Sequence, residues 1–146
     1  MVSASLIGSF LAKSKILFLF HPELTLTVSR LELLKKHALR VFEAEKKGGL
    51  INIIFTTDEH QRSLNLEFRG LDKTTDVLSF NWDEPDLLGE IYISVPQIQR
   101  QAPKFGATIY AETKRMLTHG ILHLCGYDHK KPADRKIMRQ KEDTWI

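Results

Sequence analysis

Three of the six histidines fall within eleven residues, in the run His119-Gly-Ile-Leu-His123-Leu-Cys-Gly-Tyr-Asp-His129. Residues four apart on a helix share a face, so His119 and His123 project together. Gly126 is the residue type that ends a helix and reverses the chain, which brings His129 back as a third donor. Three neutral imidazoles with a fourth position left to water is the composition of a catalytic zinc site rather than a closed structural one. The device is that of the zincin helix, H-E-x-x-H-x-x-G-x-x-H, with one departure. Gly120 stands where the zincin glutamate would take a proton from water. A peptidase of that kind therefore lacks its general base. Zinc alone still lowers the pKa of its water to about 7, provided another group stabilises charge on the substrate. Glycine inside a helix costs about 0.8–1.0 kcal/mol relative to alanine. Close approach of another element, which a missing Cβ permits, would account for it.

Apolar periodicity and punctuation locate the elements that must hold these residues. Strands are expected at 15–20, 50–56, 75–80 and 88–94. Helices are expected at 27–46, 59–67, 95–104, 107–124 and 132–144. Asp58 with Gln61 and Ser94 with Gln97 read as capping boxes. The order β-α-β-α-β-β-α-α-α predicts an α/β (α+β) fold with one sheet of four strands and five helices. The short acidic link at 83–86 predicts an antiparallel pair, so the sheet should be mixed.

The 146 residues fit one domain, 1–146, with ordinary hydrophobic (42%) and charged (27%) content. Cys125 is the only cysteine, so no intrachain disulfide forms, which suits a reducing, cytoplasmic setting. Its position off the histidine face reads as a small buried hydrophobe. Lys13 and Lys15 interrupt the apolar N-terminal stretch where a signal peptide needs its charge in front. The run 16–20 is too short to span a membrane. Formal charge is +3, which permits a nucleic-acid partner without demanding one. The basic residues of the tail, Lys130 to Lys141, suit a solvated helix face or an RNA-facing patch.

The histidine run resembles the signature of the YbeY family of bacterial single-strand-specific endoribonucleases. Two further blocks carry the resemblance. Asn65-Leu-Glu-Phe-Arg-Gly-Leu-Asp-Lys-Thr-Thr-Asp-Val-Leu-Ser-Phe80 is similar to the family's N-x-x-[FY]-R-x-x-D-x-x-T-D-V-L-S-F. Leu88-Gly-Glu-Ile-Tyr-Ile-Ser94 is similar to its L-G-D-I-x-I-S. The likeness implies zinc held by His119, His123 and His129, and Arg69 near the metal in a cleft. A planar guanidinium there would grip phosphate and offset the charge that grows on its oxygens. It implies single-stranded RNA as substrate, work on ribosomal RNA (16S 3′-end maturation and ribosome quality control), and small-subunit partners. Asp76 reads either as a histidine-orienting group or as the holder of a turn. Asp128 reads as a proton relay or a turn cap. Tyr127 and Trp82 read as base-stacking or packing residues. Two rival functions stay open: a metal-dependent hydrolase of another substrate such as a peptide, and a non-catalytic ribosome assembly factor with a structural metal.

Overall fold

Ile51, Ile53 and Phe55 on one strand, and Ile91 and Ile93 on another, are fully buried. Such β-branched and aromatic runs belong at the centre of a sheet covered on its faces. A computed structural model describes residues 13–145. The expectation about the extreme N-terminus otherwise lies outside these residues. The elements are β1 (Ser14–Phe20), α1 (Leu31–Ala44), β2 (Gly49–Thr56), α2 (Asp58–Arg69), β3 (Val77–Glu84), β4 (Leu87–Ser94), α3 (Val95–Gln101), a short 3₁₀ turn (Pro103–Phe105), α4 (Ile109–Leu124) and α5 (Pro132–Thr144). The strand order is β1-β2-β4-β3. β1, β2 and β4 are parallel, and β3 pairs antiparallel with β4 at the edge. Over the described residues this is the expected α/β fold with one mixed four-stranded sheet and five helices. No helix among the described residues is long and apolar enough to cross a membrane.

Several boundaries differ from the sequence expectation, each for a local reason. The third strand starts at Val77, because the Asp76 carboxylate accepts the Val77 N–H (2.8 Å). It then runs on through the acidic segment to Glu84, with a bulge where Asp83 takes a positive φ of 51°. The helix expected at 95–104 stops at Gln101, since Pro103 has no N–H to extend it. Thr57, not Asp58, caps α2, accepting the His60 N–H (3.2 Å). Asp58 is drawn away by Arg100 (2.7 and 3.0 Å) and Ser94 (2.8 Å). Ser94 does cap α3 through the Gln97 N–H (3.3 Å). The Gln97 side chain turns to Gln101 and Arg100 instead of closing the box. α1 ends at Ala44, and left-handed Lys46 (φ 55°) turns the chain before the Gly48-Gly49 pair.

α4 lies against the sheet on one side and α1 on another. Leu117, Ile121 and Leu124 are its buried stripe, while Ile109 in its first turn is 48% exposed. The crossing onto the sheet is unusually close. A Cβ on Gly120 would sit 2.9 Å from Ile91 Cγ2 and 3.0 Å from Cδ1. Gly120 is thus the contact point between the histidine helix and β4, which is the packing reason the sequence asked for.

Candidate active site

α4 is fixed at its start by Thr108, whose hydroxyl accepts the Ala111 N–H (3.0 Å). It ends in a Schellman arrangement: Tyr127 N–H donates to the Leu122 carbonyl and Gly126 N–H to that of His123, both at 3.1 Å. Gly126 takes φ 106°, a conformation side chains rarely adopt. The chain therefore doubles back as the spacing predicts. Asp128 then holds the turn, accepting the N–H groups of His129 (2.6 Å) and Lys130 (3.3 Å). Those bonds, the His129 one foremost, depress its carboxyl pKa.

A cleft of about 580 Å³ opens beside the edge strand β3. Its walls bring His119, His123 and His129 together with Arg69, although fifty residues separate His119 from Arg69. The His129 ring lies 5.4 Å from that of His119 and 6.1 Å from that of His123, between centroids. The tightest potential ligand group is His123, Asp128 and His129, whose donor atoms lie within 4.8 Å of one another. His119 stands outside that group. Its Nδ1 is held by Glu142 on α5 at 2.5 Å. A carboxylate on Nδ1 fixes the ring plane and leaves Nε2 as the atom available to a metal, as metal-binding histidines commonly are fixed. His123 Nδ1 is buried with no hydrogen-bond partner. Burial first, then the neighbouring His119 and His129, lowers its pKa, so the ring is neutral. The donor set therefore fits a transition metal: clustered imidazoles with a carboxylate at hand.

Arg69 is the last residue of α2, and Gly70 (φ 70°) turns the chain away behind it. The loop that follows is pinned by Asn65 to the Lys73 carbonyl (2.8 Å) and by the Arg62–Asp72 pair (2.7 Å). Arg69 and Lys130 both line the cleft, and neither has a carboxylate partner among the described residues. Two cations with no carboxylate at ion-pair distance among the described residues, facing an open cavity, make an anion-receptive wall.

Asp76, also on the cleft wall, touches no histidine. It holds the turn before β3 and accepts from Gln101 Nε2 (3.1 Å). Tyr127 packs against the core beneath the Lys141 ammonium, 5.5 Å from its ring centroid. Trp82 is 44% exposed, with its indole N–H on Glu90 (2.9 Å). Cys125 is buried as expected, and burial pushes its thiol up to about 12, which leaves it inert. Glu142 is the site-adjacent residue that sequence reading missed. It looked like one charge among many in the tail, and only the docking of α5 on α4 reveals it.

Comparison with known proteins identifies relatives of the whole fold. The family model described as Endoribonuclease YbeY matches residues 22–146. The endoribonuclease YbeY of Desulforamulus reducens is 48% identical over 64% of this chain and 67% of its own length. That of Flavobacterium johnsoniae is 40% identical over 73% and 77%. A solution structure from Thermotoga maritima superposes with a TM-score of 0.65 at 33% identity, covering 89% of this chain and 85% of that one. A match that runs from before α1, through the Arg69 loop, to the histidine turn and α5 leaves one assignment: the chain belongs to the YbeY endoribonuclease family.

Proposed function

We propose that this chain is a zinc-dependent endoribonuclease that cuts single-stranded RNA, as one hydrolase domain over residues 1–146. The observation that carries the reading is the cleft itself: three imidazoles and two cations, Arg69 and Lys130, that form no ion pair among the described residues, all lining one cavity. His119, His123 and His129 are the proposed ligands. Their fit rests on the orphaned Nδ1 of His123 and on the Glu142 bond that turns His119 Nε2 free. Zinc bound there would supply Lewis-acid activation of the attacking oxygen. Arg69 binds the scissile phosphate and neutralises charge as it builds on the non-bridging oxygens. Lys130 adds a second point charge. Gly120 carries no base, so a proton from the attacking group goes to solvent. The relatives are named endoribonucleases, and the resemblance extends the reading to ribosomal RNA, 16S 3′-end maturation, quality control on the small subunit and a cytoplasmic setting.

The test is cleavage of an unstructured RNA against a matched stem, with zinc content measured in parallel. His123→Ala should lose both metal and cleavage. Arg69→Ala should keep metal and lose cleavage. Full activity in metal-stripped His123→Ala protein sinks the mechanism. A second reading is favoured by the tight His123–Asp128–His129 group: the Asp128 carboxylate replaces His119 as third ligand. Asp128→Asn would then lower zinc affinity more than His119→Ala.

A further inference from the structure

A separate groove of about 400 Å³ opens on the N-terminal half of α4, lined by Phe105, Tyr110, Lys114, Arg115, Thr118 and Trp145 among others. Phe105 is 67% exposed, the most exposed large apolar side chain described. The Arg115 guanidinium lies 5.3 Å from its ring centroid, and that of Arg30 lies 4.9 Å from the Tyr110 ring. The one carboxylate on the lining is Glu112, which is 1% exposed. It is consumed by Arg115 (2.7 and 3.0 Å) and Gln101 (2.8 Å). Among the described residues the lining thus presents aromatic faces and the Lys114 ammonium, with the Arg115 charge paired to buried Glu112 and no exposed acid. That combination suits single-stranded nucleic acid, whose bases stack on rings while its phosphates meet positive charge.

The groove and the cleft share α4. Arg115 is one turn before His119 on α4, about 6 Å of helix rise. A polar chain also joins the two walls: Arg115 to Glu112, Glu112 to Gln101, and Gln101 to Asp76 on the cleft side.

We propose that this groove receives an unpaired base of the RNA strand whose phosphate lies in the cleft. The proposal rests on the RNA reading above. A base in a duplex is stacked and paired, so it cannot enter; the groove therefore contributes to selection for single strands. Phe105 supplies the stacking face and Lys114 a phosphate contact. The occupant is nucleic acid rather than a protein segment, because the charged side chains on the lining that are not buried, among the described residues, are Lys114 and Arg115.

Trp145 allows a direct test. In a Trp82→Phe protein it is the sole tryptophan. The zinc-loaded full chain is titrated with a cleavage-resistant 2′-O-methyl phosphorothioate oligouridine of about six nucleotides, within the range of one single-strand site. Binding should change Trp145 emission saturably. Phe105→Ala should raise Kd about 5- to 140-fold, the equivalent of one lost base–aromatic stack. Lys114→Gln should lower the slope of log K against log salt by about one unit. On a cleavable unstructured RNA, Phe105→Ala should raise KM with kcat held. Silent Trp145 and unchanged Kd in Phe105→Ala, with Arg69→Ala still abolishing cleavage, overturn the groove and leave the cleft reading intact. A groove that serves a protein partner gives that same overturning result. Absence of any RNA binding or cleavage overturns both.

Discussion

Gly120→Ala tests whether the histidine helix is placed by its contact with the sheet. The added Cβ would lie 2.9 Å from Ile91 Cγ2, 3.0 Å from Cδ1 and 3.3 Å from Cγ1. Ile91 is fully buried in β4 between two other strands, and its branched Cβ makes the side chain stiff. Alanine gains about 0.8–1.0 kcal/mol of helix propensity over glycine. Overpacking a tight interior contact costs about 1–3 kcal/mol. The net is a destabilisation of about 1 kcal/mol, or a Tm lower by about 2–4 °C in a chain of this size. The decisive comparison is the same change in an Ile91→Ala background, where all three close atoms are gone. That background is itself weakened by about 2–5 kcal/mol but stays within the stability of an ordinary domain. There Gly120→Ala should stabilise, because only the propensity gain remains. Thermal and urea unfolding followed by circular dichroism reads both backgrounds. A rise in Tm on the Ile91 background matched by an equal rise on the natural one would refute the contact argument.

Three other outcomes follow from named contacts. Glu142→Ala should weaken zinc binding about 10–100-fold, as loss of a ligand-orienting carboxylate does, with Glu142→Gln losing less; a competition titration showing unchanged affinity contradicts that role. Zinc at a hundred times its Kd should raise stability by about 2.7 kcal/mol, and His119→Ala should erase the Tm shift produced by chelation; no shift on chelating the natural chain argues against a site. His37 sits against Thr118 (2.7 Å), and burial foremost, with Lys114 and Arg40, lowers its pKa from 6.5 to about 4. Between those values the unfolded chain takes a proton that the folded chain refuses, so stability falls as pH drops from about 6.5 towards 4. His37→Gln should flatten that part of the urea-midpoint profile, and an unchanged profile counts against it.

The proposed site was legible in the sequence where its geometry is local. The His119–His123 pair and the Gly126 turn depend on one helix and its end, and spacing describes both. Arg69 could be found only through the resemblance of its block, because nothing local says that the end of α2 faces α4 across β3. Glu142 was not legible, since its bond to His119 depends on how α5 docks. The misplaced cap at Thr57 has a similar cause: Asp58 is an equally good capping residue by type, and Arg100, forty-two positions on, removes it. The strand at 77–84 ran past its expected end because a bulge at Asp83 lets acidic residues continue a ladder that composition reads as a turn.

The division of the cleft between a local half and a distant half bears on the order in which the molecule becomes dangerous to RNA. The three histidines span eleven residues, so a nascent or partly folded C-terminal segment can gather them with little loop-closure cost. Arg69 joins them only after α4 has docked on β3, where Asn81 donates to the Leu124 carbonyl forty-three positions on, a contact of long sequence separation that forms late. A half-folded chain would hold the means to bind an ion without the means to grip a phosphate. Docking of the histidine helix on the sheet's edge thereby acts as a safety catch, and damage to that seam would disarm the molecule before it empties the histidine cluster.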